Sequence, residues 1–95
     1  MKRINKYLRV EKLDLSGLKL KTDIWVVRAN DGNSLGEVKW YGPWRQYALL
    51  PILGTVFNRD CLTALAGFLH EVNESHRRDV AEVRKTSKAL KELDR

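Results

Sequence analysis

The sequence contains very little cysteine and no long apolar stretch. Cys61 is its one cysteine, which excludes an internal disulfide and favours a reducing compartment. The longest apolar run, residues 48–57, is broken by Pro51 and Gly54 and is too short to cross a bilayer as a helix. No apolar block follows the basic residues at positions 2 and 3, as it would in a secretory signal. These absences predict a cytoplasmic protein.

The sequence also lacks the patterns typical of metal, cofactor and catalytic sites. His70 and His76 are six positions apart, so they do not share a helix face as paired zinc ligands do. Cys61 has no cysteine nearby, and a small residue in the first turn of a helix is usually a packing residue. Gly32 and Gly36 lie in predicted turns and form no nucleotide-binding signature. We expect no metal, no cofactor and no enzymatic activity.

What the sequence does contain is an uneven excess of positive charge. The net charge is +6. Residues 1–22 hold seven Lys or Arg against two acidic residues, residues 23–73 hold four against five, and residues 74–95 hold seven against five. A basic arm on a nearly neutral core is typical of proteins that meet polyanions, although simple solubility explains such a charge equally well. Nucleic acid is therefore a candidate partner, with DNA expected rather than RNA.

Two strands joined by a hairpin are predicted over residues 23–30 and 35–41. The first is rich in β-branched and aromatic residues, and Asn30-Asp31-Gly32-Asn33 supplies turn residues. A four-residue loop would pair Trp25 with Trp40 and Val27 with Val38, placing these four side chains on one face. Arg28 and Lys39 would then lie on the opposite, exposed face.

A third strand is predicted over residues 44–50, after the turn Gly42-Pro43. A two-residue turn would place Tyr41 opposite Trp44 and Lys39 opposite Gln46, with Arg45, Tyr47 and Leu49 on the core face. A loop longer by one residue would exchange the two faces. We favour the shorter turn, which gives an exposed face with the following residues: Arg28, Lys39, Tyr41, Trp44 and Gln46.

A C-terminal helix is predicted to begin near residue 59. Asn58 is a good N-cap, and Asp60 suits the positive end of the helix dipole. Its apolar stripe comprises Leu62, Leu65, Leu69 and Val72, with Ala66 and Phe68 beside it. Apolar residues are sparse after residue 73, so residues 74–95 form a charged helical extension that either projects alone or pairs with a second copy as a homodimer.

Residues 1–22 admit several structures. Residues 7–15 suit an extended segment, and alternation from Leu18 to Ile24 suits a further strand. A short amphipathic helix using Ile4 and Leu8 is an alternative. The predicted fold class is α+β: an antiparallel sheet of three or more strands packed on one C-terminal helix. Its parts are a basic N-terminal arm or extra strand (1–22), a sheet-plus-helix domain (23–73) and the extension (74–95).

The aromatic and basic residues around the second turn are the strongest functional signal. Aromatic rings stack on bases while Lys and Arg hold phosphates, and Trp, Tyr and Arg also anchor protein interfaces. The alternative for Trp44 is a place in the core. The candidate binding residues are Arg28, Lys39, Tyr41, Trp44, Arg45, Gln46, Lys2, Arg3, Lys6 and Arg9.

The segments at 24–28, 36–47 and 55–62, above all W-Y-G-x-W-R-Q-Y at 40–47, resemble a group of small uncharacterised proteins carried by phages and prophages. The resemblance covers about residues 23–73 and implies a bacterial host cell, but it brings no activity. In layout the predicted sheet and helix are also similar to the arm-binding domains of phage and transposon integrases, which is an analogy of fold alone.

Three roles are consistent with these observations. The first is a non-enzymatic binding protein of a phage or mobile element that contacts nucleic acid through a basic and aromatic sheet face and a basic arm. The second is a phage-encoded inhibitor that binds a host protein, for example a defence or replication enzyme. The third is an assembly subunit that dimerises through its C-terminal helix.

Overall fold

The computed structural model describes residues 2–18 and 21–93, with side chains up to residue 81. Five strands form one antiparallel sheet in the order of the chain, and a helix follows them, as the α+β prediction required. The strands are β1 (Lys2–Arg3), β2 (Leu8–Lys12), β3 (Trp25–Ala29), β4 (Ser34–Tyr41) and β5 (Gln46–Pro51). The helix α1 spans Arg59–Leu93.

The core lies between one face of the sheet and the first half of α1. Alternate strand residues point toward the helix, which presents buried residues at spacings of three and four. The predicted stripe was partly wrong, because Leu62 is exposed and Cys61 takes its place in the core. The buried core residues are Leu8, Val10, Val27, Val38, Tyr47, Cys61, Leu65, Phe68 and Val72.

The helix begins where the sequence predicted. The Cys61 backbone N–H donates to Asn58 Oδ1 at 2.8 Å, which satisfies one of the unpaired amides of the first turn. Asp60 lies in that turn, where the helix dipole favours a carboxylate. Asn58 is therefore the N-cap.

The predicted register of the first hairpin was wrong by two residues. Trp25 pairs with Val38 and Val27 with Gly36, and a bulge at Leu35 leaves Arg28 opposite Ser34. A shift of two residues keeps each side chain on its own face, because the side chains of a strand alternate with a period of two. The side chains predicted for the core face, including Trp40, accordingly pack on the helix side.

The second turn is longer than predicted, and again the faces are kept. Tyr41 pairs with Gln46 and Trp40 with Tyr47, so residues 42–45 form a four-residue loop with a single 3-10 turn. Arg45 was predicted to lie on the core face, and this was wrong. It has a left-handed backbone (φ 51°), its N–H donates to the Gly42 carbonyl at 3.1 Å, and it is exposed.

The N-terminal segment forms the far edge of the sheet. Strand β2 lies within the extended segment predicted at 7–15, whereas the helical alternative using Ile4 and Leu8 was wrong: the Ile4 N–H donates to the Leu8 carbonyl at 3.1 Å in a turn between β1 and β2. The strand predicted from Leu18 to Ile24 is not formed by its described residues. Residues 19–20 of that segment lie outside the description.

Asn73 of α1 occupies backbone hydrogen-bonding groups on the open edge of strand β5. The Tyr47 backbone N–H donates to Asn73 Oδ1 at 2.7 Å, and Asn73 Nδ2 donates to the Tyr47 carbonyl at 3.4 Å. Further along the same edge of β5, Pro51 has no backbone N–H that could bond to another strand. The helix and the proline together leave little of this edge open to a further strand.

Beyond the sheet, the α1 backbone continues as far as Leu93. The longest axis of the molecule is 57 Å, against 29 and 25 Å for the other two. No helix among the described residues is apolar enough over a sufficient length to span a membrane. The predicted dimer contact through residues 74–95 depends mostly on side chains outside the described part of the chain.

Candidate functional site

The face of the sheet opposite α1 is one surface on which a partner could lie. No helix or strand among the described residues packs on it. Its rows of side chains run across the strands, because directly paired residues point to the same side. These rows differ in chemistry from one end of the sheet to the other, and we call this surface the outer face.

Three arginines form one row at one end of the outer face. Arg3 pairs with Arg9, and Arg9 pairs with Arg28. Neighbouring strands are about 4.8 Å apart, so three guanidinium groups start from positions spread over about 10 Å. Like charges directly opposite one another destabilise a sheet, so this arginine row carries a folding cost that an anion would relieve.

Acidic side chains neutralise part of this charge but not all of it. Glu11 Oε2 lies 3.7 Å from Arg28 Nε, and Arg28 Nη1 donates to the Gly32 carbonyl at 3.1 Å. Within the described residues, no carboxylate lies within 4 Å of Arg3 or Arg9. The positive charge is therefore concentrated in the two arginines nearest the β1 edge.

The middle of the outer face is mixed. The row next to the arginines consists of Glu11, the buried Val26, Glu37 and Leu50. Lys39 follows on β4, with its Nζ 3.9 Å from Glu37 Oε2. This part of the face has little net charge, which separates the arginine row from the second turn.

An aromatic pair lies at the other end of the outer face. The rings of Tyr41 and Trp44 meet edge to face, with centroids 4.9 Å apart and planes at 71°. Trp44 is 67% exposed and Tyr41 is 37% exposed. Gln46 pairs with Tyr41, and Arg45 is exposed beside Trp44. The predicted residues Lys39, Tyr41, Trp44, Arg45 and Gln46 thus lie near one turn.

Two predicted residues lie apart from both groups. Lys2 pairs with the buried Val10 and so belongs to the helix side of the sheet, where its Nζ lies 3.1 Å from Glu71 Oε2. Lys6 lies in the turn after β1, with its Nζ 5.0 Å from the centroid of the Tyr7 ring. The structure therefore divides the ten predicted residues into an arginine row, an aromatic turn and two isolated lysines.

The other two tryptophans belong to an aromatic cluster beneath the helix. Tyr47 lies at its centre, 5.4 Å from both Trp25 and Trp40 between ring centroids, and His76 lies 4.5 Å from Trp40. The Tyr47 hydroxyl accepts the Asp23 N–H at 3.2 Å. Burial raises the pKa of this hydroxyl, with smaller contributions from the charges of Asp23 and Asp79. Of the three tryptophans, Trp44 is therefore the one that a partner on the outer face could contact.

The loop between β5 and α1 exposes apolar side chains that the sequence interpretation did not single out. Leu53 is fully exposed, Val56 is 89% exposed and Ile52 is 48% exposed. The chain turns at Gly54 (φ 87°), where the Thr55 N–H donates to the Ile52 carbonyl at 3.1 Å. Val56 also borders a cleft of about 510 Å³ beside Tyr7 and Cys61. We call residues 52–56 the apolar loop.

Among the described residues, no three His, Cys, Asp or Glu side chains are grouped so that they could hold a metal ion. Cys61 is buried against the core. The two described surfaces with the chemistry to hold a partner are therefore the outer face, for anions and aromatic ligands, and the apolar loop, for apolar ones.

Comparison with known proteins finds a phage relative. The chain is 30% identical over 71 residues to an "Uncharacterized 9.3 kDa protein" of Acholeplasma phage L2, and the match covers 75% of this chain and 90% of the relative. No protein-family model matches the chain. No solved structure matches it either.

Proposed function

Because this chain belongs to the family of the 9.3 kDa protein of Acholeplasma phage L2, we propose that it is a non-enzymatic DNA-binding protein of a phage or mobile element. The outer face contacts the phosphate backbone, with little reading of base sequence. The protein acts in the cytoplasm of the bacterial host. The single observation that supports this proposal is the arginine row.

The arginine row has the chemistry of a phosphate site. Arg presents a planar set of donors that matches a phosphate in two hydrogen bonds. Arg3 and Arg9 are not matched by a carboxylate within ion-pair distance in the described part of the chain, and Arg9 is only half-exposed. A phosphate between them would offset the repulsion between neighbouring guanidinium groups. The net charge of +6 would add long-range attraction to DNA.

Fluorescence anisotropy with labelled duplex and single-stranded DNA tests this proposal. We expect log affinity to fall linearly with log salt, with a slope of about −1.8 on duplex if Arg3 and Arg9 each meet one phosphate. Arg9→Gln should make that slope shallower by about 0.9 and weaken binding to all sequences alike.

Lys2→Gln is the matched control. It removes the same charge only one residue from Arg3, but on the helix side of the sheet, where Lys2 meets Glu71. We expect its salt slope to equal that of the wild type. Equal effects of the two substitutions, or no binding by the wild type at low salt, would contradict the proposal.

The apolar loop supports a second candidate function, an inhibitor that docks on a host protein such as a defence or replication enzyme. Exposed apolar groups of this kind are typical of interaction sites. Leu53→Ser should abolish capture of one host protein from nuclease-treated lysate and direct binding of that protein once purified, whereas Arg9→Gln should leave both unchanged. Capture that survives Leu53→Ser, or that needs nucleic acid, would count against this function.

A further inference from the structure

We propose that Tyr41 and Trp44 form a base-stacking site, and that the outer face therefore binds single-stranded DNA in preference to duplex. This inference rests on the proposed function and names its ligand class. It requires an accessible aromatic surface, a position in line with the phosphate site and a suitable separation from it. The described residues supply all three.

The aromatic surface is accessible. Trp44 is two-thirds exposed, although a tryptophan side chain is ordinarily buried over most of its area. Its one aromatic neighbour, Tyr41, meets it at 71° and so does not stack flat on it. An edge-to-face contact positions the two rings while leaving most of the indole open. A nucleobase could stack there without any rearrangement of the core, where Trp25 and Trp40 are held.

The position is in line with the arginine row. Ser34 pairs with Arg28 at one end of β4, and Tyr41 ends the same strand. The pairing places Tyr41 on the outer face with Lys39, two residues earlier. Strand β4 therefore leads from the Arg28 end of the arginine row, past the paired Glu37 and Lys39, to the aromatic pair.

The distance between the arginine row and the aromatic pair indicates which ligand could reach both. The eight residues of β4 from Ser34 to Tyr41 span about 23 Å. This corresponds to about seven nucleotides at the 3.4 Å rise of a stacked strand, and to fewer when the strand is extended. Bases in a duplex are stacked on each other and cannot offer a ring face to a side chain, whereas those of a single strand can. Only a single strand could stack a base on Trp44 while its backbone meets the arginine row.

Titration of intrinsic tryptophan fluorescence with oligothymidylates tests the inference. An oligomer of eight nucleotides should quench the fluorescence and bind more tightly than one of two nucleotides, which is too short to reach both ends. Trp44→Ala should weaken binding of the longer oligomer by roughly 5- to 160-fold and leave duplex affinity unchanged.

Two control variants show whether weaker binding comes from loss of the stacking ring rather than from loss of the fold. Trp44→Phe keeps a ring at the site and should retain most of the affinity for single strands while losing the quenching. Tyr7→Ala removes an exposed aromatic ring from the turn between β1 and β2, outside the aromatic pair, and should bind as the wild type does. Thermal melts of each variant show whether it is folded at the assay temperature.

The outcomes separate this inference from the proposed function. If Trp44→Ala binds the longer oligomer like the wild type while Arg9→Gln does not, the stacking site is refuted and the phosphate site stands. Equal affinity of the wild type for duplex and single strands would also refute the stacking site. If the wild type binds neither, the proposed function fails, and this inference with it.

Discussion

Trp40 and Trp44 are four residues apart and lie in opposite environments. Trp40 packs on Tyr47 and His76 against the core, whereas Trp44 lies on the surface, in ring contact with Tyr41. We expect Trp40→Ala to lower the free energy of unfolding by about 3–5 kcal/mol, through lost burial and a residual cavity. Trp44→Ala should change it by no more than about 0.5 kcal/mol.

Denaturant unfolding of both variants measures this difference. A fall of similar size in both would show that the indole of Trp44 also belongs to the core, and it would remove the basis for the stacking site.

Gly36 is confined by backbone rather than by side chains. A Cβ at this position would lie 2.7 Å from the Leu50 carbonyl oxygen and 3.0 Å from Pro51 Cα. Gly36→Ala should therefore cost about 1–3 kcal/mol of stability, since the strands must separate slightly to admit the methyl group.

Gly67 provides the matched comparison for Gly36. It lies in α1, and a Cβ there would meet no atom within 4 Å. Gly67→Ala should stabilise the protein by about 0.5–1 kcal/mol, because Ala loses less backbone entropy in a helix. Thermal or denaturant unfolding that ranks the two variants in the other order would contradict the close approach of β4 and β5.

At the scale of elements, the direction of side chains could be predicted better than their pairing. Both predicted registers were wrong by two residues, and a shift of two leaves Trp25, Val38 and Tyr47 facing the helix. The first hairpin contains a bulge at Leu35, and the second contains a 3-10 turn before Arg45. The predicted pairings allowed for neither. Neither irregularity has a signal in the alternation of apolar and polar residues.

The arginine row could not be predicted from the sequence. It depends on β1 and β2 pairing in one register and on β2 and β3 pairing across a twelve-residue connection, from residue 13 to 24. The contact between β2 and β3 joins segments that are far apart in the chain, so no local signal specifies it. The aromatic turn, by contrast, is contiguous in the chain, so its residues could be selected from composition alone.

One side chain of α1, Asn73, makes both hydrogen bonds to the backbone at the edge of β5. Replacing Asn73 by Leu removes both hydrogen bonds to the Tyr47 backbone, and it should cost about 1–3 kcal/mol because these groups are sheltered from water. Asn73→Asp keeps an acceptor for the Tyr47 N–H and should lose less. Urea unfolding compares them, and a Leu variant as stable as the wild type would show that water replaces the amide.

At the scale of the whole molecule, the helix is longer than the sheet requires. The radius of gyration is 16.4 Å, against about 12 Å for a compact chain of this length. Among the helix residues whose side chains are described, His76 is the last in ring contact with the aromatic cluster, and the backbone remains helical to Leu93. An isolated helical segment is only marginally stable in water, and pairing with a second copy would stabilise one, which is the physical basis of the predicted dimer.

We therefore expect light scattering to give a mass that rises with concentration from 11.0 kDa toward twice that value. A chain ending at Asp79 keeps every described core contact, so it should remain monomeric with a melting temperature independent of concentration, unlike the full chain. If the full chain stays monomeric, the dimer is refuted. If it dimerises, two outer faces act on one DNA strand, and the salt dependence of binding should be about twice as steep for the full chain as for the shortened one.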